Sequence, residues 1–190
     1  MEPCSECGYS YSSLRRADIG PALRSRAQRF GEVLDGVDEV SLRAHPRADV
    51  WSALEYACHA RDVLRVQRGR VLQACTEDRP DFASMRRQER VLEEAYNAQE
   101  RTVVAGEITA AADAMARTLD ELDDARWHRT GVYHWPTTEV RTVDWIGRHT
   151  VHELVHHLRD IDRLLDATTE IGTTPIGTTE IGTTQKGPRR

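Results

Sequence analysis

Apolar residues recur at helical spacing in four long stretches of the chain, and this period of three to four, not the alternation of a strand, sets the expected fold. The first stretch carries Leu23, Ala27, Phe30, Val33 and Leu34 on one face, with Asp18 placed to cap it, Pro21 in its opening turn and Gly36 at its stop. The segment Arg43-Ala-His-Pro46 then breaks the chain. Asp49 is placed to cap a second helix that runs from Trp51 through Leu64 and Val71 to Cys75. Residues 76–98 lack a sustained period and are expected to form a loop with a short helical turn. A third helix over residues 100–122 is rich in Ala, a strong helix former, and offers Val103, Ile108, Ala111, Met115 and Leu119 to the core. Gly131, Pro136 and the aromatics Trp127, Tyr133 and Trp135 mark an ordered crossover loop. A fourth helix opens at Thr142 and continues to about Leu165, with Val143, Ile146, Thr150, Leu154, Leu158, Ile161 and Leu165 on its apolar stripe.

No segment alternates convincingly at period two, so the pattern predicts an all-α four-helix bundle over residues 18–166, with one or two longer connections. A polar lead-in, residues 1–17, precedes it. From Thr168 to Gly187 the chain repeats pentads of the type Thr-Thr-Glu-Ile-Gly. A five-residue period fits neither helix nor strand, and Thr with regular Gly cannot bury a face. Residues 167–190 are therefore expected to be a disordered tail.

Composition narrows the function classes. Hydrophobic residues make up 39% of the 190-residue chain and charged residues 30%, which suits one globular domain. The sequence has neither a run of apolar residues long enough to span a bilayer nor a signal peptide, so a cytoplasmic location without a membrane partner is expected. The net charge of −5 comes from interspersed acids and bases, with no basic block to track a phosphate backbone, which disfavours nucleic acid. Four cysteines in a cytosolic chain do not make a disulfide framework. Cys58 and Cys75 fall within a helix and are expected to pack as small apolar groups. Cys4-x-x-Cys7-Gly8 has the form of one zinc knuckle without its second half. It could recruit a nearby His for a second zinc, act as a redox pair, or simply be an exposed lead-in.

The chemistry concentrates on the fourth helix, which carries His149, His152, His156 and His157 within nine residues. His152 and His156, one turn apart on the same side, can reach one ion. Two ligands bind weakly, and His59 is the histidine placed centrally in another long helix, so His59, His152 and His156 are the expected metal ligands. A solvated histidine stripe beside a satisfied core His59 is the competing reading, since His152 and His156 lie off the centre of the Leu154–Leu158 face, towards Trp145. His152-Glu153-Leu-Val-His156 also has the HExxH spacing of zinc proteases, in which the Glu activates water on the metal. A protease needs a third ligand downstream and an edge strand for its peptide. Beyond His156 there are only His157 and the carboxylates of the same helix, and no such strand is readable.

Trp51-Ser52 with Glu55, Tyr56, His59 and Asp62, followed some ninety residues later by Thr142-Val143, His152-Glu153-x-x-His156-His157 and Asp160-Ile161, resembles the DinB-like superfamily. The likeness runs over residues 18–166, particularly to the actinobacterial branch that includes mycothiol-dependent transferases and maleylpyruvate isomerases. The resemblance implies a His on the second helix and an HxxxH pair on the fourth as ligands, which again selects His59, His152 and His156, with zinc as the metal and nickel or iron as alternatives. Maleylpyruvate isomerases instead carry Glu-x-x-x-His followed by Asp-Leu, and Glu153, His157 and Asp160-Ile161 fit that phrase one residue later. The two phases cannot both supply the ligands. The histidine pair is preferred because three neutral imidazoles suit zinc, with Glu153, His157 and Asp160 as orienting groups or a proton carrier.

The activity so implied is transfer of a small thiol, mycothiol or a relative, onto an electrophile, with the cation stabilising thiolate. Arg61 and Arg148 are expected to hold the thiol's carboxylate. The alternatives are a hydrolase using metal-bound hydroxide with Glu153 as base, and a non-catalytic metal-binding stress-response protein. Homodimers are common among bundles of this type.

Overall fold

The computed structural model describes residues 3–134 and 137–172, with side chains described to Ala167. Helix α1 (Ile19–Gly36) buries the face expected of it: Leu23, Ala27, Phe30, Val33 and Leu34. A short α2 (Glu39–Arg43) starts at Asp38, whose side chain accepts from the Ser41 amide. Helix α3 (Ala53–Thr76) begins three residues later than an Asp49 cap would place it. Ser52 accepts from the Glu55 amide while the Glu55 carboxylate accepts from the Ser52 amide. This reciprocal pair satisfies two amides at once, which a lone aspartate cannot do. Helix α5 (Arg101–Asp120) buries Val104, Ile108, Ala111, Met115 and Leu119. Val103 is a correction: it is 57% exposed, because the stripe set by the later residues passes through its neighbour.

Helix α7 (Val143–Gly172) opens where Thr142 Oγ1 accepts from the Trp145 amide. Its stripe from Val143 through Ile161 is buried, and Leu165 packs against the core. The helix continues beyond Leu165 through the first pentad, so that part of the expected tail is helical; the later pentads lie outside the described residues.

The four long helices form the expected four-helix bundle. Both α1 and α3 pack against α5 and α7, which puts α1 and α3 on one diagonal and α5 and α7 on the other. The adjacency of α3 and α7 matters most for function, because it brings His59 alongside the histidines of α7. The core between them holds Phe30, Leu54, Leu64, Ile108, Met115 and Ile146, each fully buried. Burial of such side chains contributes about 1.5–3 kcal/mol apiece, which is enough to fix the relative rotation of the helices.

Two connections carry structure that periodicity missed. Residues 77–100 contain α4 (Arg87–Glu93) and a tight turn at Tyr96–Ala98. After α6 (Asp124–Trp127), β1 (Thr130–Tyr133) pairs antiparallel with β2 (Glu139–Thr142), from Thr130 opposite Thr142 to Tyr133 opposite Glu139. Each strand has only four residues, too few for alternation to stand out. Pro80 to Phe82 lies alongside β1: the Phe82 amide donates to Val132 O at 3.0 Å and the Val132 amide to Pro80 O at 2.8 Å. Among the described residues, no helix is long and apolar enough to cross a membrane.

Behind α4, Asp62 is 1% exposed and accepts from Arg61 Nε at 2.8 Å, Arg90 Nη1 at 3.1 Å and the Tyr96 hydroxyl. A buried carboxylate needs such partners to remain charged. Here they tie the long α3–α5 connection to α3.

Candidate metal centre

On α7, residues 149, 153 and 157 form one ladder at i, i+4 spacing and residues 152 and 156 a second, set about 100° around the helix. Packing against α3 decides which ladder meets His59. The ligating atoms of His59, Glu153 and His157 lie within 4.8 Å of one another, and the His59 and His157 rings stand edge to face with centroids 4.9 Å apart. Among the described residues His59 does not form such a group with His152 and His156. Those two gather with Cys4 and Cys7. The expected trio is thus divided between two clusters. The physical reason is rotation: the buried Leu154, Leu158 and Ile161 stripe turns 153 and 157 towards α3, leaving 152 and 156 to face the N-terminal segment.

Local structure holds each member of the first cluster. The Ser52–Glu55 cap fixes the start of α3, and Trp51 covers His59 with ring centroids 5.1 Å apart. His157 Nδ1 is 3.1 Å from Asp160 Oδ2, leaving Nε2 to face Glu153 Oε2 at 3.6 Å. His59 Nδ1 and His157 Nε2 are both buried and have no hydrogen-bond partner. An unsatisfied buried polar atom costs about 1–3 kcal/mol, so two in one cluster beside a carboxylate need an explanation.

Charge is shared within the cluster. Burial, with His157 nearby, pushes His59 down to about 3, so it is a neutral imidazole able to donate a lone pair. Burial opposes charge on His157, but Asp160 and Glu153 outweigh it and push it up to about 9. Burial likewise opposes charge on Glu153, yet His157 and the neighbouring imidazoles hold it well below the usual carboxylate range. Glu153 is therefore an anion paired within the cluster. Two imidazoles and a carboxylate are a common donor set for zinc and related divalent ions, and Asp160 supplies the outer hydrogen bond such histidine ligands need.

A cavity of about 270 Å³ opens over His59 and Glu153, walled by Phe82 and Tyr133 and flanked by Arg70, Arg86 and Arg87. Tyr133, from the expected crossover loop, and the adjacent His134 line this cavity; Trp135 lies outside the described residues. Arg61 and Arg148 do not line it. Arg61 is buried against Asp62, Gln99 and Glu107, while Arg148 donates to Tyr11 O at 2.9 Å and to Leu14 O.

His149 and Tyr11 were not singled out from the sequence. His149 stacks on Trp145 at 4.3 Å, approaches Glu153 Oε1 at 3.5 Å, and is pushed down to about 4 by burial. The Tyr11 hydroxyl sits 2.7 Å from His149 Nδ1 and 3.0 Å from His152 Nδ1, joining the two ladders. The histidine run itself pointed to His149. Nothing in the polar lead-in distinguished Tyr11.

The architecture is a four-helix bundle with a buried histidine–carboxylate cluster that could hold a metal ion, two of whose members, His59 and Glu153, border the cavity. The chain belongs to the DinB superfamily, whose family model matches residues 22–161. It is similar to YfiT from Bacillus subtilis, described as a probable metal-dependent hydrolase with an unusual four-helix bundle topology. Identity is 15% and the TM-score 0.73, over 89% of this chain and 94% of that one. It is also similar to a mycothiol-dependent maleylpyruvate isomerase, with 11% identity and a TM-score of 0.64 over 84% of this chain and 70% of that one. None of the curated proteins is significantly similar in sequence.

Proposed function

We propose that the chain is a divalent-metal-dependent transferase that places a low-molecular-weight thiol of the mycothiol kind on an electrophile, with the cation held by His59, Glu153 and His157. The observation that carries this reading is the pair of partnerless imidazole nitrogens, on His59 and His157, gathered with the Glu153 carboxylate, with His59 and Glu153 lining the cavity. A cation bound there would favour the thiolate form of an incoming thiol.

The chain's own groups do the rest. Asp160 orients His157, and Trp51 holds the His59 ring in place. Arg70, Arg86 and Arg87 flank the cavity with charge suited to a carboxylate, while Phe82 and Tyr133 exclude water from its inner wall. The likeness to a mycothiol-dependent isomerase supports the thiol, and the likeness to a probable metal-dependent hydrolase supports the metal.

Zinc-loaded protein incubated with mycothiol and 1-chloro-2,4-dinitrobenzene should consume the thiol faster than buffer does. His157→Ala and His59→Ala should lose both the bound zinc of this cluster and the activity. An unchanged zinc stoichiometry in both variants, with no equivalent lost, would refute the ligand set. Cleavage of esters or amides without thiol would replace the transferase by a hydrolase, and inertness towards both substrate classes would leave a non-catalytic metal protein.

A further inference from the structure

We propose that Cys4, Cys7, His152 and His156 form a second metal site, a tetrahedral zinc that pins the N-terminal segment onto α7. This site is separate from the one beneath the cavity and does not depend on the thiol chemistry proposed for it.

The four ligating atoms lie within 4.8 Å of one another. Cys4 Sγ is 3.8 Å from His156 Nδ1. With Zn–S near 2.3 Å and Zn–N near 2.0–2.1 Å, a tetrahedron has S···N edges of about 3.6 Å, so the pair is already near bonding separation. Both thiols are free, and Cys7 is buried.

Each imidazole presents one nitrogen and has the other engaged. His156 Nε2 lies 3.2 Å from Glu6 Oε2 and 3.7 Å from Asp160 Oδ2, so Nδ1 is turned to the sulfur. His152 Nδ1 meets the Tyr11 hydroxyl at 3.0 Å, and its Nε2 is buried with no hydrogen-bond partner. Holding the second ring nitrogen on an oxygen is what fixes the tautomer and direction of a histidine ligand.

The knuckle is shaped to match. The Gly8 amide donates to Cys4 O at 2.8 Å and the Cys4 amide to Tyr9 O at 2.9 Å, with Gly8 at φ +74°, a conformation that favours glycine. Arg159 and Arg163 of α7 donate to Cys7 O and Glu6 O, so the turn is held against the helix from outside.

Zinc binding releases the two thiol protons to solvent, and the two thiolates neutralise the ion. The consequence reaches the cavity, because the same segment carries Tyr11, whose hydroxyl holds His149 beside Glu153.

The test is cobalt substitution of the full-length protein under reducing conditions. Thiolate-to-cobalt charge-transfer absorption should appear, vanish in Cys4→Ser and in His156→Gln, and persist in His157→Ala. Metal analysis should show one equivalent lost in each of the first two variants. If either unfolds by far-UV circular dichroism, cadmium NMR of the unaltered chain should give a resonance in the range of two sulfur and two nitrogen donors. A spectrum without thiolate bands, bands that survive Cys4→Ser in folded protein, or a Cys4–Cys7 disulfide in zinc-grown protein would each overturn the proposal. Loss of the thiolate bands in His157→Ala would show that the two sites are not separate. Failure of the transferase reading would leave the cobalt spectrum unchanged.

Discussion

Replacing Gly131 by alanine tests whether the cavity wall is built as described. A Cβ at this point of β1 would lie 2.2 Å from Phe82 Cζ and 2.4 Å from Cε2, where ordinary contact begins at 3.4 Å. Phe82 can yield only towards the cavity it walls. It is 2% exposed, its amide is tied to Val132 O, and its ring meets Tyr133 edge to face at 6.4 Å. Overpacking of this kind costs about 1–3 kcal/mol. In a domain of this size each kcal/mol moves Tm by about 2–4 °C, so the variant should melt about 2–12 °C lower by calorimetry. Phe82→Leu shortens the opposing side chain and should relieve the clash. The double variant should then be more stable than the two single losses added together, with a coupling of about 0.5–3 kcal/mol. Strict additivity, or a Gly131→Ala melt superimposable on the parent's, would refute the close approach of β1 to the Phe82 ring.

Three further substitutions probe the interior. Burial works against charge on Asp62, but hydrogen bonds from Arg61 and Tyr96 hold it below the usual carboxylate range, so its contribution is full above that range and lost as pH falls through the lowered value. Asp62→Asn should therefore cost about 3–5 kcal/mol at neutral pH in urea denaturation, with the gap from the parent narrowing on acidification; a gap independent of pH would contradict this. Asp160→Asn, which weakens the hold on His157 Nδ1, should reduce zinc affinity about 10–100-fold in chelator competition, and unchanged affinity would remove Asp160 from the site. Tyr11→Phe strips the hydroxyl between His149 and His152 and should destabilise by about 1–3 kcal/mol, whereas an unaltered denaturation midpoint would show that the bridge is not formed.

The helical part of the fold was legible because each long helix buries a stripe, and stripes leave a period. Leu23 to Leu34 in α1 and Val143 to Ile161 in α7 are buried as the spacing implied. What escaped was short or relational. Four-residue strands leave no period to detect, and α4 lies on a connection held by Asp62, Arg90 and Tyr96, polar contacts that no apolar pattern records. The cap at Ser52 was obscured by Asp49, an equally good capping residue three positions earlier; only the reciprocal bond from Glu55 distinguishes them.

The ligand phase is the more instructive case. His152 with His156 and Glu153 with His157 have identical spacing, so spacing cannot choose between them; the choice needs the rotation of α7 against α3. That rotation is set by Leu154, Leu158 and Ile161, which bury themselves and carry 153 and 157 towards His59. Neutral imidazoles favoured the other pair on ligand chemistry alone. Yet the Glu153 carboxylate is paired with His157, which Asp160 also holds, and the other two histidines meet two sulfurs that the polar lead-in brings back across more than 140 residues of chain. One helix thus offers two ladders of donors to two different neighbours, α3 on one side and the N-terminal segment on the other. The Tyr11 hydroxyl between His149 and His152 is the point at which disturbing one ladder must disturb the other.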